Sequence, residues 1–190
     1  MPDPKQHPLL AGGPTMGLMS PEKPRYETSA PGADAEDGGH AAFQSALTNM
    51  GLKFQPTRGH YDAPEKSYVI QGPSREQMTD LGKKFGQEAV IFAPGDQSHE
   101  FIYTNGPHDG KMHRGTGETQ TWPSEPAESY WTELPGHGFV RLGFDFDKLH
   151  DLPAPGYKTY SVGDGAKPQP EMPDDRWSDT ADRADWYNAD

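Results

Sequence analysis

The chain has 190 residues, including 22 Gly and 20 Pro, with 32% hydrophobic residues and a formal net charge of −12. It has no Cys, which excludes disulfides, thiolate metal sites and cysteine nucleophiles. The carboxylate excess repels phosphate backbones and argues against direct nucleic-acid binding, and no apolar run approaches the roughly 20 residues of a membrane-spanning helix.

Residues 1–38 form the first segment. Met1–Gly39 holds seven Pro and six Gly and shows no periodicity. Such a segment buries too little apolar surface to offset its ordering entropy, so an extended tail is expected, free or docked on a partner. Its start, MPDPKQHPLLAGGP, lacks a basic stretch followed by an apolar one, so no secretory signal is expected. The expected location is the cytoplasm or a particle assembled there.

A domain is expected over residues 39–149. Phe43, Leu47 and Met50 fall on one face of a helix over His40–Met50, which Gly51 ends. Leu52–Phe54 reads as a short strand and Pro56–Pro64 as a loop containing Gly59, His60 and Tyr61. The most ordered stretch is Ser67–Thr104. Ser67–Gln71 is β-rich; Ser74 with Gln77 makes a capping box; Met78, Leu81 and Phe85 line one helix face. Ala89–Ala93 is continuously apolar, as in a strand buried on both faces. After a Pro94-Gly95-Asp96 turn, His99–Tyr103 should return antiparallel to it. Residues 105–138 read mostly as loop, with Tyr130-Trp131 an apolar anchor. Phe139–Asp147 alternates Val140, Leu142, Phe144 and Phe146 with polar or small residues.

The final segment, residues 150–190, carries nine Asp or Glu against four Lys or Arg. Trp177, Trp186 and Tyr187 are its aromatic anchors. Tryptophan is enriched at interface hot spots, so this acidic tail is expected to bind a protein partner or to fold back on its own domain.

Recognisable catalytic motifs are scarce. His99, His108, His113 and His137 cluster in sequence, and imidazoles with a carboxylate suit divalent metals. The spacing matches no helical ligand motif. If a metal is bound, His108 and His113 are its ligands; otherwise no cofactor is expected. Asp145 and Asp147, two apart on a strand, would share a face and offer paired carboxylates. The Gly-rich turns around Asn105–Gly110 and His113–Gly117 lack phosphate-loop order, and no GxSxG elbow exists.

One resemblance stands out. Gly59-His60-Tyr61, then Glu65-Lys66-Ser67-Tyr68-Val69-Ile70, then Leu81-Gly82-Lys83-Lys84-Phe85-Gly86-Gln87-Glu88-Ala89-Val90-Ile91 resemble small uncharacterised proteins of bacteriophages and mobile elements. The resemblance covers residues 39–147 and implies a phage-encoded accessory or virion-associated protein, with no activity or catalytic residue to transfer.

The expected fold is therefore a single α+β domain with a mostly antiparallel sheet of four or five strands. Two helices pack on one face, and long extended tails lie outside. The expected function is a non-enzymatic binding or structural accessory protein that docks through its tails, with no membrane or nucleic-acid partner. The alternatives are a small metal-dependent hydrolase using residues 99–137 with Asp145 and Asp147, or an inhibitor that sequesters a ligand of a host system.

Overall fold

The structure is a computed structural model that describes residues 3–22, 36–61 and 63–154. In chain order the elements are a 3-10 turn (Pro4–Gln6), α1 (Pro8–Ala11), β1 (Met16–Met19), α2 (Glu36–Asn49), β2 (Lys53–Tyr61) and β3 (Ala63–Gln71). There follow α3 (Arg75–Lys84), β4 (Ala89–Ala93), β5 (Glu100–Tyr103), β6 (Lys111–Trp122), β7 (Trp131–Leu134), β8 (Gly138–Phe144) and β9 (His150–Asp151).

Eight strands close into an antiparallel barrel in the order β5-β4-β1-β3-β2-β7-β8-β6, and β6 pairs back onto β5. β9 adds to β6 beside the ring. This corrects the expected four- or five-stranded α+β sheet. The fold is mostly β, and a closed ring removes the unpaired edges that an open sheet must protect.

Three departures explain the difference. Residues 16–19, expected in the tail, are fully buried as β1 and pair with both β3 and β4. Residues 56–64, expected as loop, belong to a long hairpin in which β2 and β3 pair from Lys53↔Gln71 to Tyr61↔Ala63. Pro56 is tolerated because β2 meets β7 only at Gly59 and His60, so at Pro56 the strand has a neighbour on one side alone. There the Thr57 hydroxyl donates to the Glu133 carbonyl at 2.5 Å, a side-chain substitute for a ladder bond. Residues 105–138, also expected as loop, supply β6 and β7.

Alternation along the strands sorts two cores. Met16, Leu18, Val69, Ile91, Ala93, Leu134 and Val140 point into the barrel, where Leu9 joins them. Met19, Phe54, Tyr68, Ile70, Val90, Phe92 and Ile102 point outward and are covered by Phe43 and Leu47 of α2 and by Met78 and Leu81 of α3. The unbroken apolar run of β4 follows from this geometry, since one side faces the interior and the other faces the helices.

Helix α3 begins with the expected capping box, with Ser74 and Gln77 each satisfying the other's backbone N–H. Its first residue, Arg75, is buried and makes a two-pronged ion pair with Glu100 of β5, 2.7 Å on each arm. The Arg75 guanidinium also lies over the Phe92 ring. This pairing lets a charged helix terminus sit in the outer core, because each charge is matched by a fork of hydrogen bonds. No helix among the described residues is long and apolar enough to cross a membrane.

Gly82 sets how closely α3 approaches the barrel. A Cβ there would sit 2.6–2.8 Å from the Oγ1, Cγ2 and Cβ atoms of Thr104. Thr104 cannot yield, being fully buried with its hydroxyl donating to the Gln87 carbonyl at 2.6 Å. Gly-to-Ala in a helix interior ordinarily stabilises by up to about 1 kcal/mol. At this position the overpacking term wins, so Gly82→Ala should destabilise by about 1–3 kcal/mol in urea unfolding. A neutral or stabilising result would show that α3 does not seat against Thr104.

Candidate functional site

The structure disperses the residues singled out as metal ligands. The His99 ring donates through Nε2 to the Leu9 carbonyl at 2.9 Å, and His137 donates through Nδ1 to the Asp3 carbonyl at 3.2 Å. Both therefore hold the N-terminal segment. His108 is exposed in the β5–β6 turn, its ring against Tyr103. His113 faces the Phe101 side of the barrel wall; its Nδ1 donates to the Lys148 carbonyl at 2.7 Å and its Nε2 lies 3.3 Å from the Tyr103 hydroxyl. His108 and His113 thus flank one tyrosine, and both nitrogens of His113 are engaged. Among the described residues no three His, Asp or Glu converge as a metal site would require.

Asp145 and Asp147 do not share a strand face either. β8 stops at Phe144, Asp145 pairs with Lys148 in the following turn, and Phe146 is 58% exposed. Trp177, Trp186 and Tyr187 lie outside the described residues.

A different group assembles at the end of the barrel where β2 runs out and β3 begins. A cleft of about 300 Å³ is lined by Glu22, Arg58, His60, Glu65, Lys66 and Trp131, with Gly59 in its floor. This is the lower end of the volumes of small-molecule sites. Register sorts these residues onto two sides of the wall: Arg58 pairs with Lys66 and His60 with Trp131 on the outward side. Gly59 is paired to Glu65 on one side and to Thr132 on the other, so these three face inward together, followed on β3 by Ser67 and Val69. The barrel is thus apolar at one end and polar at the other.

Glu65 is the central group. Ser67 Oγ donates to its carboxylate at 3.1 Å. Burial, helped by the charge of Glu22, pushes its carboxyl up to about 7, against the partial relief from Ser67. Gly59 makes room for it: a Cβ there would lie 3.3 Å from Glu65 Oε1 and Ser67 Oγ and 3.1 Å from the Tyr61 ring. Beside this group the Tyr61 and Thr132 hydroxyls meet at 2.7 Å, and burial drives the Tyr61 phenol up to about 12.

A relay leads outward from the rim. Glu22 accepts from the Lys66 backbone N–H at 3.2 Å and lies 3.3 Å from His40 Nε2. His40 Nδ1 meets the Tyr68 hydroxyl at 3.0 Å, and Gln44 donates to that hydroxyl at 3.0 Å. Gln44 Nε2 donates to the Tyr68 hydroxyl, and the His40 tautomer sets the sense of the two contacts that follow. On the outer wall Arg58 donates to Glu133 at 2.8 Å and to Glu125 at 3.2 Å. His60 stacks on Trp131 with ring centroids 5.8 Å apart, and its buried Nδ1 has no hydrogen-bond partner among the described residues.

Chemically, the cleft holds a carboxyl poised to exchange a proton near neutrality. The Ser67 hydroxyl beside it is only 4% exposed and is spent on the carboxylate. The sequence reads the two outer ends of this hairpin, Leu52–Phe54 and Ser67–Gln71, as strand but its tip, residues 56–64, as loop, and Glu65 and Lys66 enter only through the resemblance. The available signal was alternation: Glu65, Ser67 and Val69 are two apart and lead inward from the rim.

Residues 32–90 match the model of a family described as "Protein of unknown function (DUF3293)". The matched segment runs through α2, the β2–β3 hairpin and α3 into β4, and so contains Arg58, Gly59, His60, Glu65 and Lys66 of the cleft. No curated protein matches the chain.

The shifted carboxyl has a signed consequence for stability. Glu65 has a folded value above its ordinary 4.5. Its contribution is fully present below about 4.5 and is lost as pH rises through about 7, by about 3 kcal/mol in all. Glu65→Gln should remove that loss. From pH 5 to 8 the wild type should therefore lose about 3 kcal/mol relative to the variant in chemical unfolding. Parallel pH profiles for the two proteins would mean that the carboxyl is solvated.

Proposed function

We propose that this protein is a non-enzymatic binding protein in which the closed barrel is the scaffold and the hairpin-end cleft receives a basic group of a partner. The observation that carries this reading is Glu65: a half-buried carboxyl held by Ser67 and feeling the charge of Glu22, with its titration moved to about 7. A cation placed between Glu65 and Glu22 would restore the ionised form and recover the cost of burying it. The net charge of −12 favours a cationic partner in encounter as well. A lysine or arginine side chain on a protein surface supplies the required chemistry. The resemblance to phage-encoded proteins would make that partner a component of a phage particle or of the infected cell, and this assignment rests on the resemblance alone.

The second reading, sequestration of a small ligand, is favoured by the cleft volume and would use the same carboxylates on a free amine. Isothermal titration with lysine- and arginine-centred pentapeptides and with spermidine separates the two. The peptides should bind wild type with proton release at pH 6, and Glu65→Gln should weaken them at least about tenfold. Binding confined to spermidine would replace the protein partner with a small amine. Failure of all probes to bind, with Glu65 still titrating near 7 in the free protein, would overturn the cleft as a cation site.

A further inference from the structure

The apolar end of the barrel, opposite the cleft, is shut by the N-terminal segment, and three buried histidines fasten it. Residues 3–15 cross this end and are tied to the strands by Gly13 N donating to the Gly95 carbonyl and Gly72 N donating to the Thr15 carbonyl, each at 2.8 Å. Leu9 is inserted among Met16, Leu134 and Val140. Gln97 Nε2 adds a bond to the Ala11 carbonyl at 3.1 Å, and beside these contacts two imidazoles of the barrel hold the segment's backbone while a third, His7, caps it from within. His7 Nδ1 accepts from the Leu9 N–H at 3.2 Å and so caps α1. His99 Nε2 donates to the Leu9 carbonyl, and His137 Nδ1 donates to the Asp3 carbonyl. The His7 and His137 rings meet edge to face, 5.2 Å between centroids. The three side chains belong to residues only 2%, 4% and 6% exposed.

This fastening requires a particular protonation state. Leu9 N–H is a donor, so His7 Nδ1 must carry a lone pair. A proton there removes the cap, and the resulting cation faces His137 in an apolar pocket. We propose that residues 3–15 are an acid-released plug: protonation of His7 unfastens the segment, withdraws Leu9, and uncovers the apolar floor formed by Met16, Leu134 and Val140. The device is independent of the cation reading of the cleft at the other end.

The groups facing the plug set the direction. Against His7 stands His137, from the turn between β7 and β8, which also opposes a charge there. Burial lowers His99 as well, against partial opposition from its bond to the Leu9 carbonyl and from Asp96 in the β4–β5 loop, so this ring also favours release in acid. Asp3 and Lys5 belong to the segment itself, and the Asp3 carboxylate is turned back onto the Lys5 N–H. Burial, then His137, lowers His7 to about 3 while the plug is seated; a released His7 regains its ordinary 6.5. A depressed group contributes stability above its released value and loses it as pH falls. Each pH unit between 6.5 and about 3 therefore favours release roughly tenfold.

The test is amide hydrogen exchange of the full chain, corrected for intrinsic rates, at pH 7.5 and 5.0. Protection of the Leu9, Leu10, Ala11 and Gly13 amides should fall about thirtyfold, while the Val69 and Ile91 amides keep theirs. His7→Asn retains a side-chain acceptor for the cap without a titrating ring and should remove most of the fall in protection, leaving only the smaller share that His99 contributes. Direct NMR titration of the His7 ring in wild type gives a second reading, expected well below 6. Plug protection independent of pH would overturn the proposal. So would His7 titrating at its ordinary value, or loss of protection in step with Val69 and Ile91.

Discussion

Closure of the ring depends on four residues. Met16–Met19 hydrogen-bond to β3 on one side and to β4 on the other. Without them β3 and β4 would present open edges and the interior would lose Met16 and Leu18. The same insertion carries residues 3–15 across the barrel end, so the floor of the interior is built by the start of the chain. It also brings Ser20 and Glu22 to the opposite rim, where Ser20 Oγ donates to the Lys66 carbonyl and Glu22 stands beside Glu65. One short strand thus connects the plug, the ring and the cleft.

The two ends of the barrel withdraw titratable groups from water with opposite consequences. At the plug, burial holds His7 neutral by lowering its titration. At the cleft, burial raises the titration of Glu65 to about 7, where it exchanges its proton near neutrality. Both follow from the cost of burying an unpaired charge. Arg75 and Glu100 show the other solution, in which a buried pair keeps both charges because each satisfies the other's hydrogen-bonding groups. The pair belongs to the scaffold, whereas Glu65, held without a cation among the described residues, is the group that a partner can complete.

Much of the local structure was legible in the sequence, because local chemistry decided it. The capping box at Ser74 and Gln77, the helix face of Phe43 and Leu47 and the continuous apolar run of β4 each follow from neighbouring residues alone. What escaped depends on distant partners. MGLM reads as part of a Gly- and Pro-rich tail until β3 and β4 are there to flank it. β2 contains Pro56 and Gly59, both poor strand formers, and owes its form to nine pairings with β3. β6 is largely exposed along its second half and owes its form to β8. The candidate site escaped for the same reason. Sequence proximity drew attention to His108 and His113, whereas register brought Glu65 together with Gly59, Thr132 and Glu22.

The central claim is that β1 completes the ring, and native-state hydrogen exchange of the Met16–Met19 amides tests it most directly. The account predicts that these amides exchange only through global unfolding, with the same free energy and denaturant dependence as those of β3 and β4. Rapid exchange of Met16–Met19 while β3 and β4 stay protected would contradict it, leaving an open sheet with the N-terminal segment outside.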